Sequence, residues 1–247
     1  MIDSGSTDET RQIVSRFPQT EFIYRPFDSF AEQCNFGLSQ IRTKWVLSLD
    51  ADYELSDELV QELHNLSDES SAGYRVGFVY RIHGHPLRGA VYPSRTVLYR
   101  AKHAKYENYG HGHKIVISGT TRLLRGVIYH DDRKSLSRWL QSQQVYAGRE
   151  AHYLLNAKSK ELSRTARIRL LGWPAVLLMP LYVLFVKGCI FDGWPGCRYT
   201  LERLLAETLI ALEILDRRLF RASERNRGDG SNADASAHLD IDVSHKS

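Results

Sequence analysis

Residues 45–56 read WVLSLDADYELS. The apolar run Trp45–Leu49 ends in acids, the pattern of a short buried strand in a parallel sheet. Directly after it, Ser56 opens a capped helix expected over 56–66. The same alternation extends upstream. Phe30, Cys34, Leu38 and Ile41 recur at helical spacing, and Glu21–Tyr24 reads as extended. Ser6-Thr-Asp-Glu9 has the form of a capping box ahead of Ile13, Val14 and Phe17. Helix, strand, helix, strand, helix predicts an open α/β sheet.

Composition allows that fold and narrows the rest. With 247 residues, 43% apolar and 25% charged, the chain has enough apolar surface for a core and an appendage. A net charge of +4 is too small to call for nucleic acid. Cys34, Cys189 and Cys197 form no CxxC pair, so neither a disulfide framework nor a thiolate zinc site is indicated. Asp3, Asp8, Glu9 and Arg11 interrupt the N-terminus, and no signal peptide is read there.

From Gly73 to His130 the texture changes to short strands, expected at Arg75–Ile82, Thr96–Arg100, Ile115–Ser118 and Leu123–Tyr129. Leu136–Leu155 reads as one long helix. A basic stretch follows (Lys158, Lys160, Arg164, Arg167, Arg169), then the apolar Leu170–Val186, broken by Pro174 and Pro180. Trp194–Phe220 is expected to be an amphipathic helix, with Leu201, Leu204, Leu205, Leu209, Leu212 and Leu215 on its apolar side. The polar stretch past Ala222 has the composition of a disordered tail.

Ligands of open α/β sheets bind at the carboxyl ends of strands. Two acidic clusters occupy such ends: Asp3, and Asp50-Ala-Asp52. Side chains two apart on extended backbone point the same way, so Asp50 and Asp52 can converge on one Mg²⁺ or Mn²⁺ ion, which favours carboxylate and phosphate oxygens. Ser4, Gly5, Ser6 and Thr7 bring small residues and free amides to a helix start, where anionic groups are favoured. Each motif alone fits a solvated loop or a capped helix. Together they suggest a metal-bridged nucleotide diphosphate.

DSGSTDET, then a helix carrying Asn35-x-Gly37, then WVLSLDADYELS, resembles the nucleotide-binding half of family 2 glycosyltransferases with the GT-A fold. The likeness is to bacterial members that build lipopolysaccharide core or other cell-surface glycans. It is strong over residues 2–66 and looser to 155. It implies a nucleotide-sugar donor, with Asp3 on the base and Asp50 and Asp52 on ribose and the metal–diphosphate. Relatives carry a strand, a helix and most of a second strand ahead of this turn, so Met1 is expected to stand where that second strand ends. The fold expected is therefore a GT-A-like (Rossmann-like) mixed sheet, N-terminally truncated, with a C-terminal helical appendage.

The family's catalytic carboxylate is replaced here by Tyr109-Gly-His-Gly-His-Lys114. His113 falls where that acid would stand, with His111 two residues before it, and imidazole can serve as a general base near neutrality. Asp131 or Asp132 is the alternative base, and His130 is a candidate metal ligand. The pairs His83-x-His85 and His111-x-His113 also invite a zinc reading, but a polar strand face accounts for His83 and His85.

Leu170–Val186 is short for a bilayer span, which takes roughly twenty residues. With Trp173 and Trp194 near its ends and basic residues upstream, it reads as a re-entrant or interfacial hairpin on the cytoplasmic face of the inner membrane. The other reading of this stretch is a helical hairpin buried against the catalytic domain. The organisation expected is a glycosyltransferase domain over 1–155, a helical membrane-associating region over 156–221 and a tail over 222–247. The function expected is sugar transfer, with inversion, to a lipid-linked or polysaccharide acceptor. A nucleotidyltransferase and an inactive membrane-associated remnant are the alternatives.

Overall fold

The computed structural model of the chain describes residues 1–67, 70–109, 112–160 and 162–237. His111 lies outside the described residues. The chain divides into two compact units, Met1–Leu136 with Tyr182–Thr200, and Ser137–Leu181 with Leu201–Ser247.

The first unit opens on β1 (Ile2–Asp3), α1 (Thr10–Ser15) and β2 (Ile23–Tyr24), with β1 and β2 paired in parallel. The capping box expected at Ser6–Glu9 does not form. Helix α1 begins at Thr10 with Glu9 as N-cap and no side-chain cap, because Ser6 is drawn instead to Asp3. Helix α2 (Phe30–Gln40) is capped by Ser29, whose side chain accepts from the Glu32 amide.

Next come β3 (Trp45–Leu47), β4 (Tyr53–Leu55), α3 (Asp57–His64), β5 (Gly73–Ile82), β6 (His85–Pro86), β7 (Arg95–Arg100), β8 (Ala104–Tyr109), β9 (Gly112–Ile117) and β10 (Thr121–Asp131). The main sheet runs β3-β7-β5-β10-β4, with β6 added to β5. Within this sheet, among the described residues, only β5 and β10 pair in parallel; the other ladders are antiparallel. Trp45–Leu47 is thus an antiparallel, part-exposed edge strand rather than the buried parallel strand its apolar run suggests. Strands β8 and β9 form a separate hairpin.

Ser56 caps α3 through the Leu59 amide and takes a second hydrogen bond from the Val127 amide at 3.1 Å, which ties the helix start to β10. Leu59, Tyr74, Val76, Leu98, Leu124 and Ile128 are buried between them. A bulge in β10 between Leu123 and Val127 frees two amides from the ladder. Glu62 of α3 accepts from both, at Arg125 and Gly126. On another side, α2 meets Tyr99 and Tyr106 through Ala31, Cys34 and Leu38. There the Asn35 side chain donates to the Tyr106 carbonyl and accepts from its amide, both at 2.9 Å.

The second unit holds α4 (Leu136–Asn156), α5 (Arg164–Leu170), α6 (Trp173–Leu181) and the later part of α7 (Gly193–Ala237). Gly172, at φ +84°, ends α5 in the left-handed conformation that glycine adopts without strain. Of the two expected breaks, the one near Pro174 occurs, at Leu171–Gly172, and the one at Pro180 does not. Pro174 lies in the first turn of α6, where its missing N–H costs nothing. Pro180 sits inside α6, and the chain widens into a π-turn over Tyr182–Val186.

The leucines expected on the apolar side of α7 are not its buried face, although Leu204 and Leu209 are part-buried. Leu201, Leu205, Leu212 and Leu215 are exposed, while Glu202, Ala206, Glu207, Ala211 and Ile214 are buried. That face packs Ile210 and Ile214 against Ala151, Leu154, Leu162 and Ala166. Its buried Glu207 is paired: Arg169 donates to both carboxylate oxygens of Glu207 and approaches Glu150 at 3.4 Å. Backbone helix continues to Ala237, beyond the boundary that composition suggests at 222.

Candidate functional site

Asp3 ends β1 and is 7% exposed. Its Oδ2 accepts from the amides of Gly5 at 2.8 Å and Ser6 at 3.0 Å, and its Oδ1 from the Ser6 hydroxyl. These bonds, the Ser6 hydroxyl first, hold its carboxyl below the usual range. Gly5 turns the chain at φ +104°, a conformation other residues enter only with strain. Gln33 of α2 donates to Ser4 Oγ at 2.9 Å, and Arg25 bridges Gln33 to Asp28. The Asp3–Ser6 loop is therefore a fixed cradle.

The DAD segment is not extended. The strand ends at Leu47, and Asp50–Tyr53 is a turn closed by the Tyr53 amide on the Asp50 carbonyl at 3.2 Å. The alternation argument for Asp50 and Asp52 fails on that ground. Both carboxylates nonetheless lie within electrostatic range of the Tyr92 hydroxyl, whose ionisation each disfavours. Asp52 Oδ2 lies 3.1 Å from His130 Nε2, and this hydrogen bond is the first cause of its lowered proton affinity.

His130 projects from the end of β10 into a box of aromatic rings. Tyr53, Tyr80 and Tyr92 stand edge-on to it with centroids 5.1–5.3 Å away. The Tyr53 and Tyr92 hydroxyls hydrogen-bond at 2.6 Å. His130 Nδ1 is buried with no partner among the described residues. A proton there would be an unsatisfied buried donor, so the tautomer that fits carries hydrogen on Nε2, aimed at Asp52.

His113 stands on β9, its ring against Phe30 at 5.7 Å and Tyr106 at 5.3 Å. Burial lowers its proton affinity below that of free imidazole, with Asp50 acting against the shift and Arg95 adding to it. Asp50 and His113 therefore share one electrostatic neighbourhood. The Arg95 guanidinium also lies there, stacked 4.5 Å from the Tyr92 ring centroid. Asn35 was legible in the sequence only as part of a motif; its clamp on Tyr106 is what seats the ring beside His113.

Asp132 lies just beyond β10, with Oδ2 3.1 Å from Lys134 Nζ. Lys134 also acts on Asp52, so both candidate bases border the same acidic cluster. Asp131 is occupied structurally, accepting from the Gly84 amide and Arg133. His83 and His85 join no metal cluster; His83 contacts Arg198.

Among the described residues, no group of three His, Cys, Asp or Glu side chains is placed to enclose a cation. Asp50 and Asp52 instead suit an open site, in which phosphate oxygens and water would complete the shell as Mg²⁺ and Mn²⁺ prefer. His130, with Nε2–H given to Asp52 and Nδ1 buried, orients Asp52 and does not take the ligand role expected of it. That arrangement fits a metal that arrives with a diphosphate.

A family model described as glycosyl transferase family 2 matches residues 1–131, which include Asp3, Asp50, Asp52, His113 and His130 but not Asp132. The chain belongs to that family. This glycosyltransferase is an enzyme that takes a nucleotide-sugar donor and an acceptor, and its mixed sheet is the GT-A-like arrangement. An uncharacterized glycosyltransferase, RP128, of Rickettsia prowazekii is 27% identical over 209 residues, 78% of this chain and 70% of that protein. The lipopolysaccharide core biosynthesis glycosyltransferase LpsC of Rhizobium meliloti is 37% identical over 83 residues, 31% of this chain and 30% of its own. A solved structure, S. aureus TarS 1-349, overlaps 88% of this chain and 81% of that chain at 13% identity, with a TM-score of 0.37, a loose likeness.

Proposed function

We propose that this glycosyltransferase moves a sugar, with inversion, from a nucleoside-diphosphate donor to a hydroxyl of a lipid-linked or polysaccharide acceptor. Its place in this reading is the cytoplasmic face of the bacterial inner membrane, as a peripheral or monotopic protein held by the region around 170–191. The limited likeness to LpsC favours a cell-envelope glycan as acceptor. Membrane attachment is favoured by the exposed apolar side chains of α6, Trp173, Leu177, Leu178 and Leu181. Among the described residues no single helix is long and apolar enough to cross a membrane, but the bent pair Trp173–Val186 and Cys189–Ser223 passes that test together.

One observation carries the chemistry: a half-buried imidazole, His113, held by its surroundings in the neutral form and within the field of Asp50. Neutral imidazole at pH 7 can take the acceptor's hydroxyl proton. As it does so, the hydroxyl oxygen bonds to the anomeric carbon from the face opposite the diphosphate, and the bond from that carbon to the diphosphate oxygen breaks. Attack from the opposite face inverts the configuration.

Asp52, with Asp50, would hold a divalent cation that neutralises the departing diphosphate, and His130 would orient Asp52 through its Nε2–H. Asp3, Ser4, Gly5 and Ser6 form the nucleoside side of the site. His113→Ala should lower turnover by roughly 10²–10⁴ while leaving donor binding intact. If His113→Ala turns over normally and Asp132→Ala does not, the base is the carboxylate and this assignment is wrong.

A further inference from the structure

The stretch Tyr182–Thr200 belongs to the first unit, and its two faces differ sharply. Val183 and Cys189 are fully buried, whereas Phe185, Val186, Ile190, Phe191 and Trp194 are 46–87% exposed. Five large apolar side chains exposed within ten residues make an unusual surface for a soluble face. Turns at Gly188 (φ +74°) and Gly193 (φ +60°) fold the chain back between these side chains.

The charges around these side chains are one-sided. Lys187 Nζ lies over the Tyr182 ring at 5.6 Å, and the Arg88 guanidinium approaches Phe191 at 5.7 Å. The only acid from 182 to 194 is Asp192. Its carboxylate is buried and taken, accepting from the Arg88 amide at 3.0 Å and pairing with Arg88 Nε at 3.4 Å. An apolar centre with a cationic rim and no free anion complements an anionic lipid surface. A twofold contact with a second copy would set Lys187 and Arg88 against their own counterparts.

The buried face of the same stretch grips the loop that leads to the site. Cys189 Sγ reaches the Gly89 carbonyl at 3.1 Å, and the Val91 amide donates to the Tyr199 hydroxyl at 2.9 Å. A side chain at residue 89 would strike the Lys187 carbonyl, its Cβ only 2.6 Å away, so glycine permits this seam. The loop then delivers Tyr92 to His130, and the Tyr199 ring stacks 5.3 Å from Tyr80, a second wall of that box.

We propose that Phe185, Val186, Ile190, Phe191 and Trp194 form a wedge that inserts into the interface of anionic phospholipid, and that the wedge is fastened to the catalytic site through residues 88–92. The site is thereby held at a lipid surface, which suits an amphiphilic acceptor whose reacting hydroxyl stands at the headgroup level. The inference rests on the membrane reading above but assigns the contact to different residues from α6.

The test is co-sedimentation of the full chain with phosphatidylglycerol–phosphatidylcholine vesicles and with phosphatidylcholine alone. The double variant Phe191→Ser, Trp194→Ser should lose at least roughly tenfold in vesicle partitioning, with unchanged circular dichroism and melting. Lys187→Gln should cost roughly fivefold on anionic vesicles and little on neutral ones. Normal binding by the double variant, while Leu177→Ser, Leu178→Ser abolishes it, would overturn the wedge and leave the membrane reading standing. No vesicle binding by the wild-type chain would overturn both. Conversion of a dimer to a monomer by the double variant, without change in vesicle binding, would make the surface a contact between copies and also overturn the wedge.

Discussion

Gly126→Ala tests the joint that seats α3 behind the acidic turn. A methyl group at position 126 would sit 2.4 Å from both the amide nitrogen and Cα of Leu59, and 2.6 Å from its Cβ. Two of these atoms are backbone, so no rotamer change relieves the clash. Helix α3 must move away from β10, which weakens the Ser56–Val127 bond at 3.1 Å and the Glu62–Gly126 bond at 3.1 Å. Overpacking costs about 1–3 kcal/mol, and rigid neighbours put this case at about 3. For a chain of this size that is a fall of roughly 6–12 °C in melting temperature.

Gly77→Ala is the matched control on the neighbouring strand. Its Cβ would meet Val127 Cγ1 at 3.8 Å, an ordinary contact, and its melting temperature should stay within about 2 °C of wild type. Differential scanning calorimetry of the two variants decides the matter. Equal melting temperatures would refute the claim that close approach, rather than strand propensity, dictates glycine at 126.

Four further outcomes follow from the site and the second unit. Asp52→Ala should abolish Mn²⁺- or Mg²⁺-dependent donor binding in titration calorimetry; unchanged metal-dependent affinity would make the acidic turn a mere loop. With His113 as base, kcat/KM should rise with pH through a pKa below the free imidazole value of 6.5, and a midpoint above 6.5 would count against it. The folded-state pKa of Asp3 is depressed, so its contribution to stability is full above its unfolded value of 3.8 and fades as pH falls through the folded value; acid unfolding of Asp3→Asn should show a shallower loss over that window. Arg169→Leu leaves Glu207 buried without its partner and should destabilise the second unit by about 3–5 kcal/mol in urea unfolding, whereas a loss under 1 kcal/mol would show the pair to be dispensable.

Local pattern was enough for much of this protein. Ser29 and Ser56 mark helix starts because a hydroxyl one residue ahead of a helix can satisfy only amides that lie within its reach. The long helix Leu136–Asn156 was legible to within a residue, and the family motif identified the Asp3 turn and the DAD acids. Pairing direction was not legible. An apolar run is compatible with parallel or antiparallel neighbours, and the partner of Trp45–Leu47, Arg95–Arg100, lies about fifty residues away, a connection long enough for either direction.

The site divides along the same line. Sequence named Asp50, Asp52, His113 and His130, but assigned the acids a strand geometry that the Asp50–Tyr53 turn replaces. The Asp52–His130 bond spans 78 residues, and the tyrosine box around His130 gathers side chains from three separated segments. The leucines of α7 carry helical spacing whether the helix buries that face or another. The face that folding buried carries Ile214 and Glu207, and the Glu207 carboxylate, removed from water, is met by the Arg169 guanidinium. Spacing along a chain records which side chains share a face; only folding decides what that face meets.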